Sequence, residues 1–362
     1  MSNYQIAGIN LRINQIEQSF LTNSLKPYVT THQPAYVIDV RQADEILPLS
    51  EGLVKESTYR RIFQNDGNTT VQVYHKEGHI RYQISYDKDC INQSILISSK
   101  ETKIDEAEYI LVSMSFLELS LRLGYINLHA SVVVKNNEAY LFCAPSGTGK
   151  STHSNYYLEA FRDAFILNDD KPLIKDGMVY GTPFSGKNRY NKNEVYHIRS
   201  IYFIKQGPLE VRTLTIDEKL KQLIMNSFRP DKKELLDSYF KNIEYLLTLP
   251  IHEAILTNSI ESVYLTYYHI IKEKLMQLKP GYVLREVGSK YIVIPVEEAS
   301  LDFNGIMTLN KTGKLLFECL KDEQTVEDLV NALTASYEVT EELARKDVIG
   351  FIEHLKKHQL LK

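Results

Sequence analysis

The sequence predicts a mixed α/β (α+β) fold with a mainly β N-terminal portion, an α/β core around a glycine-rich loop, and a strand-then-helix C-terminal domain. Three observations carry this. The first ~120 residues alternate apolar and polar positions in short runs such as "YVIDV", "TTVQVYH" and "IRYQISYD", punctuated by "NDGN" and "KEGH", which reads as antiparallel strands. Residues 138 to 151 run from an apolar strand straight into "APSGTGKS" and then into a helix. After Pro280 and Gly281 break a helical stretch, three short strands precede three helices.

Taken in order, "DEAEYILVSMSFLELSLRL" changes the period: Ile110, Met114, Leu117 and Leu121 recur at three and four, the mark of an amphipathic helix over 105–123. "LHASVVVKNNEAYLFCAP" reads as two strands joined by an Asn-Asn turn, and residues 152–162 as the helix after the loop. "AFILNDD", "GMVYGTPFSG" and "HIRSIYFIKQG" are strand-like, and 216–277 reads as largely helical. The last helices are "KTGKLLFECLKD", "TVEDLVNALTASY" and "TEELARKDVIGFIEHLKKH", with Thr325 (Asp328 three on) and Thr340 (Leu343 three on) as N-caps. The domain expectation is 1–277 (1–120 strand-rich, 121–215 core, 216–277 helical) and 278–362.

Composition bounds function. The chain of 362 residues is long enough for two or three cores, and 43% hydrophobic with 24% charged residues is ordinary for a globular protein. A formal net charge of −4 gives no support to nucleic-acid binding. The N-terminus lacks a basic region followed by an apolar run, and no apolar stretch approaches the ~20 residues that span a bilayer. Cys90, Cys143 and Cys319 are far apart in apolar or strand-like contexts, which suits buried free thiols and not a disulfide framework or zinc site. These readings predict a cytoplasmic protein without membrane or nucleic-acid partners.

The chemistry centres on residues 144–151. Small and glycine residues let successive backbone N–H groups curl around an anionic oxygen cluster while the next helix presents its positive end. Ser146, Gly147, Thr148, Gly149, Lys150, Ser151 and Thr152 are the phosphate-binding candidates. Lys150 would reach the β- and γ-phosphates of ATP and Ser151 would place its hydroxyl on Mg²⁺. Asp169 and Asp170 end the strand "FILN" about 20 residues on, where a second Mg²⁺ contact or a general base is expected. His129 sits on the strand expected to pair with that of the loop. Alone it reads as a core histidine. "GTPFSGKNRY" adds Lys187 and Arg189, cations able to offset phosphate charge, although alone it reads as a surface turn.

In this order the four elements resemble the HPr kinase and phosphoenolpyruvate carboxykinase-like P-loop fold. There a strand histidine, G-x-S-G-x-G-K-S and paired aspartates recur; here "LHAS", "APSGTGKS" and "NDD" match, with Ala144 for the first glycine. The resemblance implies a catalytic-region role for His129, a base toward an acceptor hydroxyl for one aspartate and Mg²⁺ support for the other. The assignment adopted is Asp169 as base and Asp170 with Ser151 on Mg²⁺, with His129, Lys150 and Lys187 neutralising phosphate charge. "GTPFSGK" is similar to the "GTPW-x-GK" of a subgroup of HPr kinase-like proteins. The HPr-recognition signature is not visible downstream, which points away from HPr as acceptor. Related kinases form rings, which leaves a homo-oligomer open.

The last ~85 residues resemble the PqqD-like peptide recognition elements, through "YIVIPVEEASLDFNGIMTLNKTGKLLFECLKDEQTVEDLVNALTASYEV" and "DVIGFIEHLKKHQLL". That resemblance implies a small winged helix-turn-helix that binds a leader peptide as an added strand. "EEASLD", "KDEQTVED" and "VTEELARKD" are acidic or mixed, which argues against DNA. The resulting expectation is an ATP-dependent kinase acting on a hydroxyl of a ribosomally made precursor peptide. The alternatives are a kinase for a small hydroxylated molecule such as serine, and a nucleotide-gated peptide chaperone that transfers nothing.

Overall fold

The computed structural model describes residues 2–16, 19–145, 147–186, 190–230, 232–272, 276–288, 290–296 and 305–362. Ser146, Lys187 and Arg189 of the expected site lie outside them. The chain divides into two compact units, Met1–Val263 and Tyr264–Lys362. No helix among the described residues is long and apolar enough to cross a membrane.

Among the described residues, the first unit holds two nine-stranded sheets. The N-terminal one is mainly antiparallel, as the alternating runs predict, and its inward residues, among them Ile6, Leu11, Ile38 and Ile95, pack on the helix Ile104–Arg122. Two of its pairings are parallel, Ile9–Asn14 with Tyr36–Ala43 and the latter with Asn92–Ser98, so the antiparallel expectation holds only in part. Parallel neighbours need crossovers, which local alternation cannot reveal.

The helix itself matches its expected span, but its stripe does not. Leu117 and Leu121 are buried, whereas Ile110 and Met114 are 54% and 38% exposed. The helix buries polar residues too, including Glu108, Ser113, Ser115 and Ser120, so period alone picked an incomplete face.

In the second sheet, Ala130–Lys135 and Glu138–Cys143 form a hairpin closed by Asn136 and Asn137, both left-handed at φ 52° and 59°. Asparagine tolerates that conformation, which matches the twist of the flanking strands. Glu138–Cys143 pairs in parallel with Val195–Gln206, which pairs in parallel with Ile251–Leu256. The last strand interrupts the stretch 216–277, which is otherwise largely helical as expected. The helices of this stretch are Ile216–Met225, Leu236–Leu247 and Glu261–Lys272.

The second unit contains a three-stranded antiparallel sheet, Tyr282–Val287, Lys290–Pro295 and Met307–Leu309, followed by helices Lys311–Cys319, Val326–Ser336 and Glu341–Lys357. The predicted caps form: Thr325 and Asp328 make a reciprocal capping box, and the Thr340 hydroxyl accepts the Leu343 N–H. Cys90 and Cys143 are buried free thiols, and Cys319 is only half-buried.

Candidate active site at the glycine-rich loop

The parallel strands bring three carboxyl ends to one edge of the sheet, where Ala144, Pro145 and residues 147–149 lie. The strand Phe165–Asn168 runs antiparallel to Ala130–Lys135, so its own carboxyl end, with Asp169 and Asp170, reaches the same edge. Crevices beyond the carboxyl ends of strands are where α/β sheets place ligands. Gly147 and Gly149 adopt φ 82° and 108°, a region costly for residues with a Cβ. The helix Lys150–Ala160 then starts on Gly149 without a side-chain cap, which leaves first-turn N–H groups to serve an anion.

Lys150 is buried beneath the loop, where its ammonium donates to the Ala144 carbonyl at 2.6 Å and lies 3.3 Å from His129 Nε2. Burial pushes its pKa down, opposed mainly by Asp170 and also by Asp169. His129 Nε2 lies 2.9 Å from Asp170 Oδ1. One ring nitrogen cannot both accept from an ammonium and donate to a carboxylate, and the shorter contact assigns it as donor to Asp170. Asp170 is also paired with the Lys171 ammonium. Burial would raise its pKa, yet the His129 hydrogen bond and the Lys171 charge hold it down to about 2.

Asp169 is the opposite case. It is 2% exposed, burial pushes its carboxyl up, and the neighbouring hydroxyls of Ser131 and Ser151 counter that rise without completing a hydrogen bond. Neither of its carboxylate oxygens has a hydrogen-bond partner among the described residues. A buried carboxylate with both oxygens unsatisfied is costly unless a ligand completes it. Adjacent aspartates pushed in opposite directions are the usual mark of divided acid–base duties.

The turn in "GTPFSG" is not a surface turn: Gly181 to Ser185 are buried. Asn168 organises it, its amide donating to the Thr182 and Phe184 carbonyls while its Oδ1 accepts the Asp170 and Lys171 N–H groups. Phe184 anchors the turn against Phe116 and Tyr109 at ring separations of 5.5 and 5.9 Å. Gly186 abuts Asp169 so closely that a Cβ there would lie 3.2 Å from the Asp169 carbonyl oxygen. The Tyr109 hydroxyl accepts the Ser185 N–H at 2.7 Å and faces the Pro183 and Ser185 carbonyls at 3.1 and 3.0 Å. Tyr109→Phe strands these groups in the interior and is expected to cost about 1–3 kcal/mol, read as a lower midpoint in chemical denaturation.

The structure therefore brings His129, Lys150, Ser151, Asp169 and Asp170 together. Gly147, Thr148, Gly149 and Thr152 form the rim of an adjoining cleft of about 580 Å³, whose far wall is Gln206, Leu256 and Asn258. The Gln206 amide donates to the Thr148 carbonyl at 3.2 Å and the Tyr156 hydroxyl reaches Asn258 Oδ1 at 3.3 Å, tying strand ends to loop and helix. None of Tyr156, Gln206 and Asn258 stands in a motif, and "IHEAIL" lacks the alternation that would have marked the strand leading to the wall.

Comparison with known proteins bears on the other end of the chain. Residues 291–361 match the family described as Coenzyme PQQ synthesis protein D (PqqD), so the chain carries a PqqD domain at its C-terminal end. Among solved structures, "TbiB1 in Complex with the TbiA(beta) Leader Peptide" is 17% identical, with 24% of this chain and 94% of that chain covered at a TM-score of 0.21. "Lasso peptide synthetase B1 complexed with the leader peptide" is 21% identical, with 24% and 96% covered at a TM-score of 0.21. No curated protein matches.

Proposed function

We propose that the chain is an ATP-dependent kinase that transfers the γ-phosphoryl group to a hydroxyl of a ribosomally made precursor peptide held by its PqqD domain. The observation that carries the kinase reading is the pair of aspartates: one buried with unpartnered oxygens and a raised pKa, the other held anionic, both beside a lysine at the foot of a glycine-rich loop. The cleft beside the loop has room for a nucleoside.

In this reading the loop N–H groups and the Lys150 ammonium hold the β- and γ-phosphates, the lysine exchanging the Ala144 carbonyl for phosphate oxygen. Asp169 takes the acceptor O–H proton as the new O–P bond forms, the bond from the γ-phosphorus to the bridging oxygen breaks, and ADP leaves. Ser151 and Asp170, whose pKa the His129 hydrogen bond and the Lys171 charge hold down, are the oxygen donors suited to Mg²⁺, which when bound would neutralise charge on the phosphates. His129 anchors Asp170, and Lys187 is assigned to the same charge-neutralising role. Tethering the peptide to the PqqD domain raises the acceptor's local concentration.

The test is γ-labelled ATP with Mg²⁺, the purified chain and a peptide-rich extract of its host, beside Lys150→Ala. Label in a peptide that falls by two or more orders of magnitude without the lysine is expected. Label in a small molecule would favour a serine-type kinase, and intact ATP with ATP-dependent peptide affinity would favour a nucleotide-gated chaperone.

A further inference from the structure

The hairpin between Asn68–Tyr74 and Ile80–Tyr86 carries a set of side chains that the kinase reading does not use. Its turn, "HKEGH", is closed by the His75 N–H to the His79 carbonyl at 2.8 Å and the Gly78 N–H to the His75 carbonyl at 2.9 Å, with Gly78 at φ 92°. This closure places His75 and His79 across from each other with ring centroids 4.7 Å apart, and it folds Glu77 back until Oε2 is 3.7 Å from His75 Nδ1. One ligand atom each from His75, Glu77 and His79 lies within 4.8 Å of the other two.

We infer that this hairpin binds a divalent first-row transition ion of the zinc class. Tetrahedral zinc sets its ligands about 3.3–3.5 Å apart at bond lengths near 2.0–2.1 Å, so small side-chain rotations suffice to close the triangle. Two imidazoles and one carboxylate suit Zn²⁺, Co²⁺ or Ni²⁺, whereas Mg²⁺ and Ca²⁺ favour all-oxygen sets. The backbone is already fixed by the turn, so binding restricts only three side chains. The competing contact among the described residues, the Glu77 N–H on His75 Nδ1 at 3.3 Å, is long enough to yield to a metal bond. Three protein ligands leave a fourth position open, as in sites that keep a water or a small ligand on the metal. Beside His79 begins a cavity of about 220 Å³ walled by Asp44, Glu45, Ser98 and Lys100, into which such a ligand could extend.

The test is titration of the full chain with Zn²⁺ by calorimetry and with Co²⁺ by visible absorption. A second histidine pair, His354 and His358, stands one helical turn apart with ring centroids 4.8 Å apart, so variants and not bare binding decide the location. One equivalent with micromolar affinity is expected, weakened at least about thirtyfold by His75→Ala or by His79→Gln and unchanged in His354→Ala/His358→Ala. Melting curves confirm that each variant is folded. Millimolar affinity only, or affinity that survives His75→Ala and His79→Gln while falling with the helical pair, would overturn the assignment. Because Lys150→Ala leaves this site intact, failure here is separable from failure of the kinase reading.

Discussion

Asp169→Asn is expected to lower phosphoryl transfer by on the order of 10²–10⁴-fold, the range for loss of a positioned general base, while ATP affinity stays within a few-fold of wild type. The side chain is replaced by one of nearly the same shape, and the phosphate-holding groups, the loop N–H groups and Lys150, are left in place. The same substitution should raise stability. Asp169 has a folded-state pKa above its unfolded value, so any stability it contributes is present at low pH and lost as pH rises through the folded pKa; at neutral pH its buried charge is a cost. Asparagine removes that charge. Turnover of the wild type should correspondingly increase with pH as the carboxyl ionises, and the variant's residual rate should lack that limb. Nucleotide titration, denaturant melts and a pH–rate profile check the three expectations. Transfer at the wild-type rate with the pH limb intact would remove Asp169 from the role of base.

What could be read from the sequence, and what could not, divides along the range of the interactions. The loop, the aspartates and the hairpin at Asn136 and Asn137 are local devices whose chemistry is written in adjacent residues. The helix N-caps at Thr325 and Thr340 are of the same kind. The strand Ile251–Leu256 was hidden because its centre is His252 and Glu253, both buried. Polar residues there suggest a helix surface, and only partners brought by the fold explain them: Glu253 is paired with Lys205 and Arg212 at 2.5 and 2.8 Å. The consequence is functional, because this strand delivers Leu256 and Asn258 to the cleft wall. The buried face of the helix Ile104–Arg122 was incomplete for the same reason, since Glu108 inside it accepts the Ile16 N–H on one carboxylate oxygen at 2.6 Å, far along the chain. The turn at Gly181–Gly186 needed tertiary context too, because only the fold places Phe184 in the core and Gly186 against Asp169.

At the other end of the chain, Leu284→Pro is expected to weaken capture of an extended peptide about tenfold or more without unfolding the domain. Tyr282–Val287 pairs only with Lys290–Pro295 among the described strands, so its outer edge is free to accept a further strand. The register fixes which residues face outward. The Val296 N–H donates to the Gly281 carbonyl, and residues 283, 285 and 287 continue that inward-bonding series opposite Ile294, Ile292 and Lys290. Antiparallel ladders alternate, so the backbone groups of Tyr282, Leu284 and Glu286 point away from the sheet. Proline at 284 removes one outward N–H and puts a ring in the path of an incoming strand, while it breaks no bond within the sheet. Loss of a hydrogen bond is worth about 0.5–1.5 kcal/mol, and steric exclusion adds to it. Val283→Pro is the internal contrast: its N–H faces the neighbouring strand, so that variant should lose stability first. In the labelled-ATP assay at low peptide concentration, Leu284→Pro should lose peptide label yet bind ATP as the wild type does. Equal labelling by the two proteins would mean that the peptide is held elsewhere than along this edge.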